Sequence, residues 1–364
     1  MNRRIRVLYL LYEPFTSGQS THVLSLLRGL DADRFETRVI LPDLLAESAP
    51  AFESTGASVM LLPIRRLLWR PAAVAGLARL IRTWKPDVVH IHSQEAGLVA
   101  RPIAWLAGAR RIFYTPQTID IRRKSWQSLV NLAEALLASV TRCIFSVNEA
   151  DRQRLLKLGI PAAKVTLLYN GVDLDAVTAD PPPPGAVPGD GPLVMQLGRL
   201  SEQKNPLMFV EGARLVLQSL PQARFVMIGS GPLEEAVRQR VAELGLAEKI
   251  TLLGSVPQGA RLLGLADVVT LTSLWEGTPY SLIEAMAWAR PVVATAVNGC
   301  PEVTSDGETG FIVPPGDAAA WARRVAQLLA DPALAVRLGR AGRERAERLF
   351  RVQDMVARVA ELYR

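Results

Sequence analysis

The chain is poor in the groups that mark several common kinds of protein. It has two cysteines, Cys143 and Cys300, and three histidines, His22, His90 and His92. Two separated cysteines build no disulfide framework, and with neither near a histidine in sequence a zinc site is not indicated. No run approaches the ~18 uninterrupted apolar residues of a membrane span. The most apolar piece, 97–109, is broken by Arg101 and Pro102. The first apolar run, 5–11, is strand-sized, too short for a signal-peptide core and closed by Glu13-Pro14. No G-x-G-x-x-G follows it, which argues against a dinucleotide dehydrogenase, and no D-x-D stands where it would hold a metal. Aromatic stacking motifs and basic recognition helices for nucleic acid are missing, as is any repeat at a period of 20–50 residues. The expectation from these absences is a cytosolic protein with no metal, no resident cofactor and no nucleic-acid partner.

At 364 residues the chain is long enough for two domains, each with its own core. Residues 1–180 hold 23 Lys and Arg against 16 Asp and Glu, while 181–364 hold 19 against 19. The whole net charge of +7 therefore belongs to the first half. Such an excess suits an anionic membrane surface or an anionic acceptor. Two segments set basic residues beside tryptophan, 64–70 with Trp69 and 122–126 with Trp126. That is the composition of an interfacial membrane contact and makes a peripheral place on the inner face of the membrane an expectation. Core-packed helices with a solvated basic rim would read the same way.

Short β-branched and aliphatic runs recur at 5–11, 37–41, 58–62, 87–91, 111–114, 142–147 and 164–168. Helix-sized segments lie between them, beginning with 21–30, so the pattern predicts an α/β domain with a parallel sheet. Ligands of such sheets bind beyond the carboxyl ends of the strands, where Gly18, His92 and the 114–117 loop fall. Gly18 would let a backbone come close to a phosphate, although an ordinary glycine turn has the same sequence. His22 and His90 read as structural. A proline-rich stretch, Pro181 to Pro184, marks a stiff linker. Strand-like runs resume at 193–197, 224–228, 250–253, 267–272, 292–294 and 311–313, with a helix tip at Pro232 and helix from 317 onward. The domains expected are 1–177, a linker over 178–192, 193–348, and a closing helix over 349–364 striped by Met355, Val359, Leu362 and Tyr363.

The most informative stretch is 267–303. A buried strand is followed by a loop, and Thr278-Pro279 then reads as a helix start, with Thr as N-cap and Pro first in the helix. Two carboxylates flank that start, Glu276 in the loop and Glu284 within the apolar helix, with seven residues between them. The free N–H groups of Tyr280, Ser281 and Leu282 would make an anion site suited to phosphate. A carboxylate buried without partners is costly, so Glu284 calls for partners such as a pair of ligand hydroxyls. Acid, phosphate site and acid describe a slot for a nucleotide sugar. A capped helix with a solvated Glu276 and a salt-bridged Glu284 fits the spacing equally well. Farther back, Arg199 and Lys204 lie in one strand-to-helix loop, where two cations would converge on a diphosphate or simply stand in solvent.

E-G-T-P-Y-S-L-I-E-A-M-A followed by P-V-V-A-T, with N-G-C-P-E-V and D-G-E-T-G-F-I-V-P-P-G-D, resembles the E-x7-E signature of the retaining glycosyltransferases of family four. G-R-L-S-E-Q-K-N resembles the same family's diphosphate loop, and N-G-V-D at 170–173 its interdomain junction. The resemblance implies the GT-B fold: two Rossmann-like domains facing across a cleft, with the C-terminal helix crossing back to the first. It also implies transfer of a sugar, with retention, from a UDP- or GDP-linked donor to a glycan or lipid-linked acceptor, without metal. Carried over by position, Arg199 and Lys204 would hold the diphosphate, Glu284 the ribose and Glu276 the hydroxyls of the transferred sugar. Gly18, Gln117, Gly277, Tyr280, Ser281, Leu282 and Val256 would be substrate-binding. Two positions depart from the family: Ser17 replaces the first glycine of its Gly-Gly loop, and Gln117 stands where it usually has His. The alternative reading is an inactive homologue that binds a nucleotide or glycan as a module, against which the retained Arg199, Lys204, Glu276 and Glu284 argue.

Overall fold

The computed structural model describes residues 3–12, 18–63, 70–118, 127–183, 185–187 and 189–364. Ser17 and the basic segments at 64–69 and 119–126, with Trp69 and Trp126, lie outside them. Along the chain run β1 (Ile5–Leu10), α1 (Gly18–Gly29), β2 (Phe35–Pro42), α2 (Ala49–Glu53), β3 (Ser58–Leu62), α3 (Pro71–Trp84), β4 (Val88–His92), α4 (Gln94–Leu106), β5 (Ile112–Thr115), α5 (Gln127–Leu137), β6 (Cys143–Ser146), α6 (Glu149–Lys157), β7 (Val165–Leu167) and α7 (Leu174–Thr178). There follow β8 (Leu193–Leu197), α8 (Pro206–Ser219), β9 (Arg224–Ile228), α9 (Glu234–Glu243), β10 (Ile250–Leu252), β11 (Val268–Leu271), α10 (Tyr280–Ala287), β12 (Val292–Thr295), α11 (Cys300–Val303), β13 (Gly310–Val313), α12 (Ala318–Ala330), α13 (Pro332–Leu349) and α14 (Val352–Leu362). Each run read from the sequence forms a strand, its ends shifted by two residues at most.

The strands form two parallel sheets, ordered β3-β2-β1-β4-β5-β6-β7 and β10-β9-β8-β11-β12-β13. Each is a Rossmann-like sheet whose strand order reverses once, between β1 and β4 and between β8 and β11. Loops leaving the two strands at such a point diverge, and a crevice opens at their carboxyl ends. Strands buried on both faces explain the continuous apolar runs. In β1 and the residue after it, Val7, Tyr9 and Leu11 enter the core on one face, and Leu8 and Leu10 enter the core on the other.

By compactness the chain divides into a first unit, Met1–Gly171 with Val352–Arg364, and a second, Val172–Arg351. The helix α7, expected in the first domain, thus belongs to the second. It packs on α10, and Asp175 lies 3.6 Å from Arg343 of α13. In the first unit, Met355, Val356, Val359 and Tyr363 pack with Val7, Tyr9 and Val23. Gly29 makes this possible, since a Cβ there would lie 2.7 Å from Val356. The closing helix begins at Val352 rather than 349, because α13 runs through Leu349 and an extended bridge at Arg351 separates the two.

Candidate active site

The loop after β8 carries Arg199 and Lys204, and its backbone is clamped on both sides. The Gly198 N–H donates to the Ile228 carbonyl, and Leu200 exchanges backbone hydrogen bonds with Ser230 and Leu233. The 229–231 loop lies flat against it. A Cβ on Gly229 (φ +133°) would stand 2.2 Å from the Gly198 carbonyl oxygen, and one on Gly231 2.4 Å from that of Leu200. Only glycine allows this approach. Beyond it, the Gly229 N–H donates to the Gly254 carbonyl, and the Ser230 and Ser255 hydroxyls are hydrogen-bonded at 2.7 Å. Val256, half-buried in that turn, is thereby tied to the same end of the sheet. Gly229 and Gly231 were not expected as a floor, although G-S-G directly after a strand is the signal for one. The helix tip expected at Pro232 is displaced. The helix begins at Glu234, after a turn through Pro232 and Leu233.

From the other side of the sheet reversal comes the loop after β11. The Thr272 hydroxyl donates to the Lys204 carbonyl at 2.9 Å, the Leu274 N–H to that of Gln203 at 2.8 Å, and Gln203 Nε2 to that of Trp275 at 3.1 Å. So stitched, the loops bring Lys204 Nζ to 2.5 Å from Glu276 Oε1. Glu276 is buried and also accepts from the Ser273 hydroxyl at 2.6 Å. The Ser273 carbonyl in turn accepts from Thr295 at 2.6 Å. The side chain of Arg199, half-buried in the same loop as Lys204, makes no hydrogen bond or ion pair with the described residues.

The helix α10 starts one residue later than expected. Pro279 is its N-cap, in extended conformation (φ −73°, ψ 115°), and no side chain caps the end. A proline φ suits both the residue before a helix and the first residue within it, so sequence could not separate the two. Tyr280, Ser281 and Leu282 consequently supply the first-turn N–H groups, and Gly277 lies in the loop leading to them. Glu284, four residues on, stands about 6 Å along the axis. It keeps a partly exposed edge, and its carboxyl makes no hydrogen bond or ion pair with the described residues. Burial pushes its carboxyl up to about 7, against the pull of the Lys204 ammonium. The Tyr280 hydroxyl is buried without a hydrogen-bond partner among the described residues, and burial next to Glu284 raises it well above the ordinary phenol range. Cys300 begins the short helix α11. Burial raises its thiol well above the usual range, with the Glu276 carboxylate adding to the shift.

Gly18 and Gln117 belong to the first unit. Gly18 opens α1 as an exposed residue rather than sitting within a loop. Gln117 follows β5 in the left-handed region (φ +67°), a strained conformation for a residue with a side chain. Its Nε2 lies 3.5 Å from His92 Nδ1. The histidines cluster completely buried: the rings of His90 and His92 are 4.1 Å apart, and those of His22 and His92 5.4 Å. Nδ1 of His22 is 2.9 Å from the Asn170 amide oxygen, and His90 bonds Tyr363 and Thr115. Burial lowers His22 to about 4 and the other two well below the usual range, so all three are neutral near pH 7.

Residues 181–345 match the family Glycosyl transferases group 1, and residues 16–176 match Glycosyltransferase Family 4. Among curated proteins the chain is 29% identical to the putative glycosyltransferase EpsD of Bacillus subtilis, over 83% of each chain. It is 24% identical to the UDP-Gal:alpha-D-GlcNAc-diphosphoundecaprenol alpha-1,3-galactosyltransferase of Escherichia coli, over 99% of this chain and 97% of that one. Among solved structures, Alr3699/HepE of Anabaena in complex with UDP and glucose superposes with a TM-score of 0.85 at 19% identity, covering 98% of this chain and 99% of that one. Sucrose-phosphate synthase of Thermosynechococcus elongatus gives 0.83 at 22% identity, over 99% and 98%.

Proposed function

Because this chain belongs to the group 1 glycosyltransferases of family four and has their GT-B fold, we propose that it is a retaining enzyme acting on a lipid-linked or glycan acceptor. Transfer of a sugar from a nucleotide-sugar donor is the activity of the family. A UDP-linked donor is the reading favoured by the galactosyltransferase relative and by the UDP-bound neighbour, and a GDP-linked one by the mannosyltransferase relatives. A lipid-linked acceptor is favoured by relatives named for diphosphoundecaprenol and phosphatidylinositol substrates.

The observation that carries the proposal is the pattern of unmet polar groups around the β8 and β11 loops. Among the described residues, the Arg199 guanidinium, the Glu284 carboxyl and the buried Tyr280 hydroxyl, all in that loop region, have no hydrogen-bond or ion-pair partner. A diphosphate would answer Arg199, Lys204 and the N–H groups of Tyr280, Ser281 and Leu282. Ribose hydroxyls would answer Glu284, and hydroxyls of the transferred sugar Glu276, with Gly277 and Val256 lining the slot. As the glycosidic bond breaks, negative charge grows on the diphosphate, and fixed cations there lower the barrier electrostatically. The acceptor then attacks from the leaving-group side, and a phosphate oxygen takes its proton. No carboxylate nucleophile is required, and no metal enters the scheme. Gly18 and Gln117 are assigned to the donor as well, Gln117 as a hydrogen-bond partner of the sugar.

Incubation with a panel of UDP- and GDP-sugars, scored by nucleoside diphosphate release and by the anomeric configuration of the product, tests this reading. Release with retained configuration is expected. Binding of nucleotide without turnover on any donor and acceptor would favour the inactive-homologue alternative.

A further inference from the structure

The helix α5 is built inside out. Its one charged residue, Glu134, is buried, accepting from Arg101 of α4 at 2.6 Å and from the Tyr114 hydroxyl at 3.0 Å. Arg101 is itself fully buried, stacked 4.0 Å over the Tyr114 ring and bonded to the Gly97 carbonyl. Meanwhile Leu129, Leu132 and Leu136 are 58%, 57% and 64% exposed. At spacings of three and four they share one face, the stripe that a surface helix normally turns inward. The exposed Trp105 and Leu106 end the neighbouring helix α4.

We propose that the Leu129, Leu132 and Leu136 face of α5 is a docking surface for an anionic lipid bilayer. Charge selects this occupant. The stripe carries no charged residue, so leucines enter the acyl boundary without burying a charge. In the sequence, Arg122, Arg123 and Lys124 stand three to five positions before Gln127, the first residue of α5, and the first 180 residues hold the whole positive excess of the chain. Anionic headgroups complement that excess, whereas a second copy of this chain would carry the same positive excess. The inference deepens the reading of a lipid-linked acceptor, since it names a surface that brings the enzyme to the plane where such an acceptor lies.

The test uses the full chain and the triple variant L129S/L132S/L136S with vesicles of phosphatidylcholine alone or mixed equally with phosphatidylglycerol. The wild type is expected to co-sediment with the anionic vesicles in a salt-sensitive manner, and the variant to lose at least about tenfold in partition, the scale set by three leucines. Both should melt at the same temperature and release nucleoside diphosphate equally with a soluble acceptor. As an independent readout, both native cysteines are buried, so Leu132→Cys can carry an environment-sensitive dye whose emission shifts to the blue on anionic vesicles only. Equal sedimentation of wild type and variant, or an unshifted dye, overturns the proposal. So does a wild-type dimer that becomes monomeric in the variant, which would give the face to a second copy. Failure of glycosyl transfer in both proteins, with the lipid difference intact, would count against the proposed activity and leave the docking surface standing.

Discussion

The Lys204 ammonium and the Glu276 carboxylate, 72 positions apart in sequence, form an ion pair at 2.5 Å. The pair joins the loops after β8 and β11 across the point where the strand order reverses. One partner is assigned to the diphosphate and the other to the transferred sugar, so a single contact fixes their relative position. The Arg199 side chain has no such partner among the described residues, and the two cations should therefore behave differently on removal.

Arg199→Ala and Lys204→Ala should each lower turnover by ~10²-fold or more, as loss of a charge-assisted contact to the leaving group predicts. Lys204→Ala should also destabilise the second unit by about 3 kcal/mol, because it leaves Glu276 buried without its cation. Arg199→Ala should melt with the wild type. Kinetics and thermal melts on both variants decide, and wild-type turnover in either rejects its role.

Glu284→Gln separates stability from function. A carboxyl raised to about 7 from its usual range gives stability that is present below pH 4.5 and is lost as pH rises through 7. Removing the charge should stabilise the protein at pH 8 by at most about 2 kcal/mol, discounted for the exposed edge of the residue. Donor affinity should fall about tenfold or more with the loss of hydrogen bonds to an ionised group. Urea midpoints at pH 5 and pH 8, with donor titration, check both effects.

The histidine cluster works in the opposite sense. His22 is lowered to about 4, and His90 and His92 lie well below the usual 6.5. Stability is therefore full above 6.5 and is lost as pH falls toward 4, by about 3 kcal/mol for His22 alone. Urea midpoints of the first unit should drop over that window and flatten in His22→Gln. A pH-independent midpoint would show that the cluster takes up protons without cost.

Gln117 tests how much the departure at this position matters. Acting as a hydrogen-bond partner, its loss in Gln117→Ala should weaken donor use by up to about tenfold, the scale of one bond to an uncharged group. Gln117→His should remain active. If instead the wild type is inert while Gln117→His gains orders of magnitude, the position needs a titratable group.

Turnover should survive excess EDTA, since side-chain cations already face the leaving group in the proposed scheme. Activity lost on chelation and restored by Mg²⁺ or Mn²⁺ would reassign the stabilisation of the diphosphate.

Both sheets were legible in the sequence because strands buried on both faces write themselves as unbroken apolar runs, and β3, β8 and β9 begin and end where expected. The residues assigned to the proposed site were legible as cations and carboxylates at loop and helix-start positions. Their pairing was not. Lys204 meets Glu276 through a strand crossover, and nothing local to either residue encodes it. The same holds for Arg101 with Glu134, 33 positions apart, whose union turns the leucines of α5 outward against what periodicity suggests. The three histidines read as two structural residues and one on the working face. They form one cluster only because β1 and β4 are neighbours and α1 packs over them.

The seat that Gly29 provides for Val356 has a consequence for biosynthesis. The first unit is interrupted in translation, for Val352–Arg364 leaves the ribosome after all 180 residues of Val172–Arg351. Until then the groove of α1 is bare, and Val23, Leu26 and Leu27 wait for Met355, Val359 and Tyr363. At 5–20 residues per second the wait lasts roughly 10–40 s. The second unit, contiguous in the chain, can close its own core in that time. The half that begins synthesis first is thus completed last, and its open apolar groove is what a chaperone holding the nascent chain would meet.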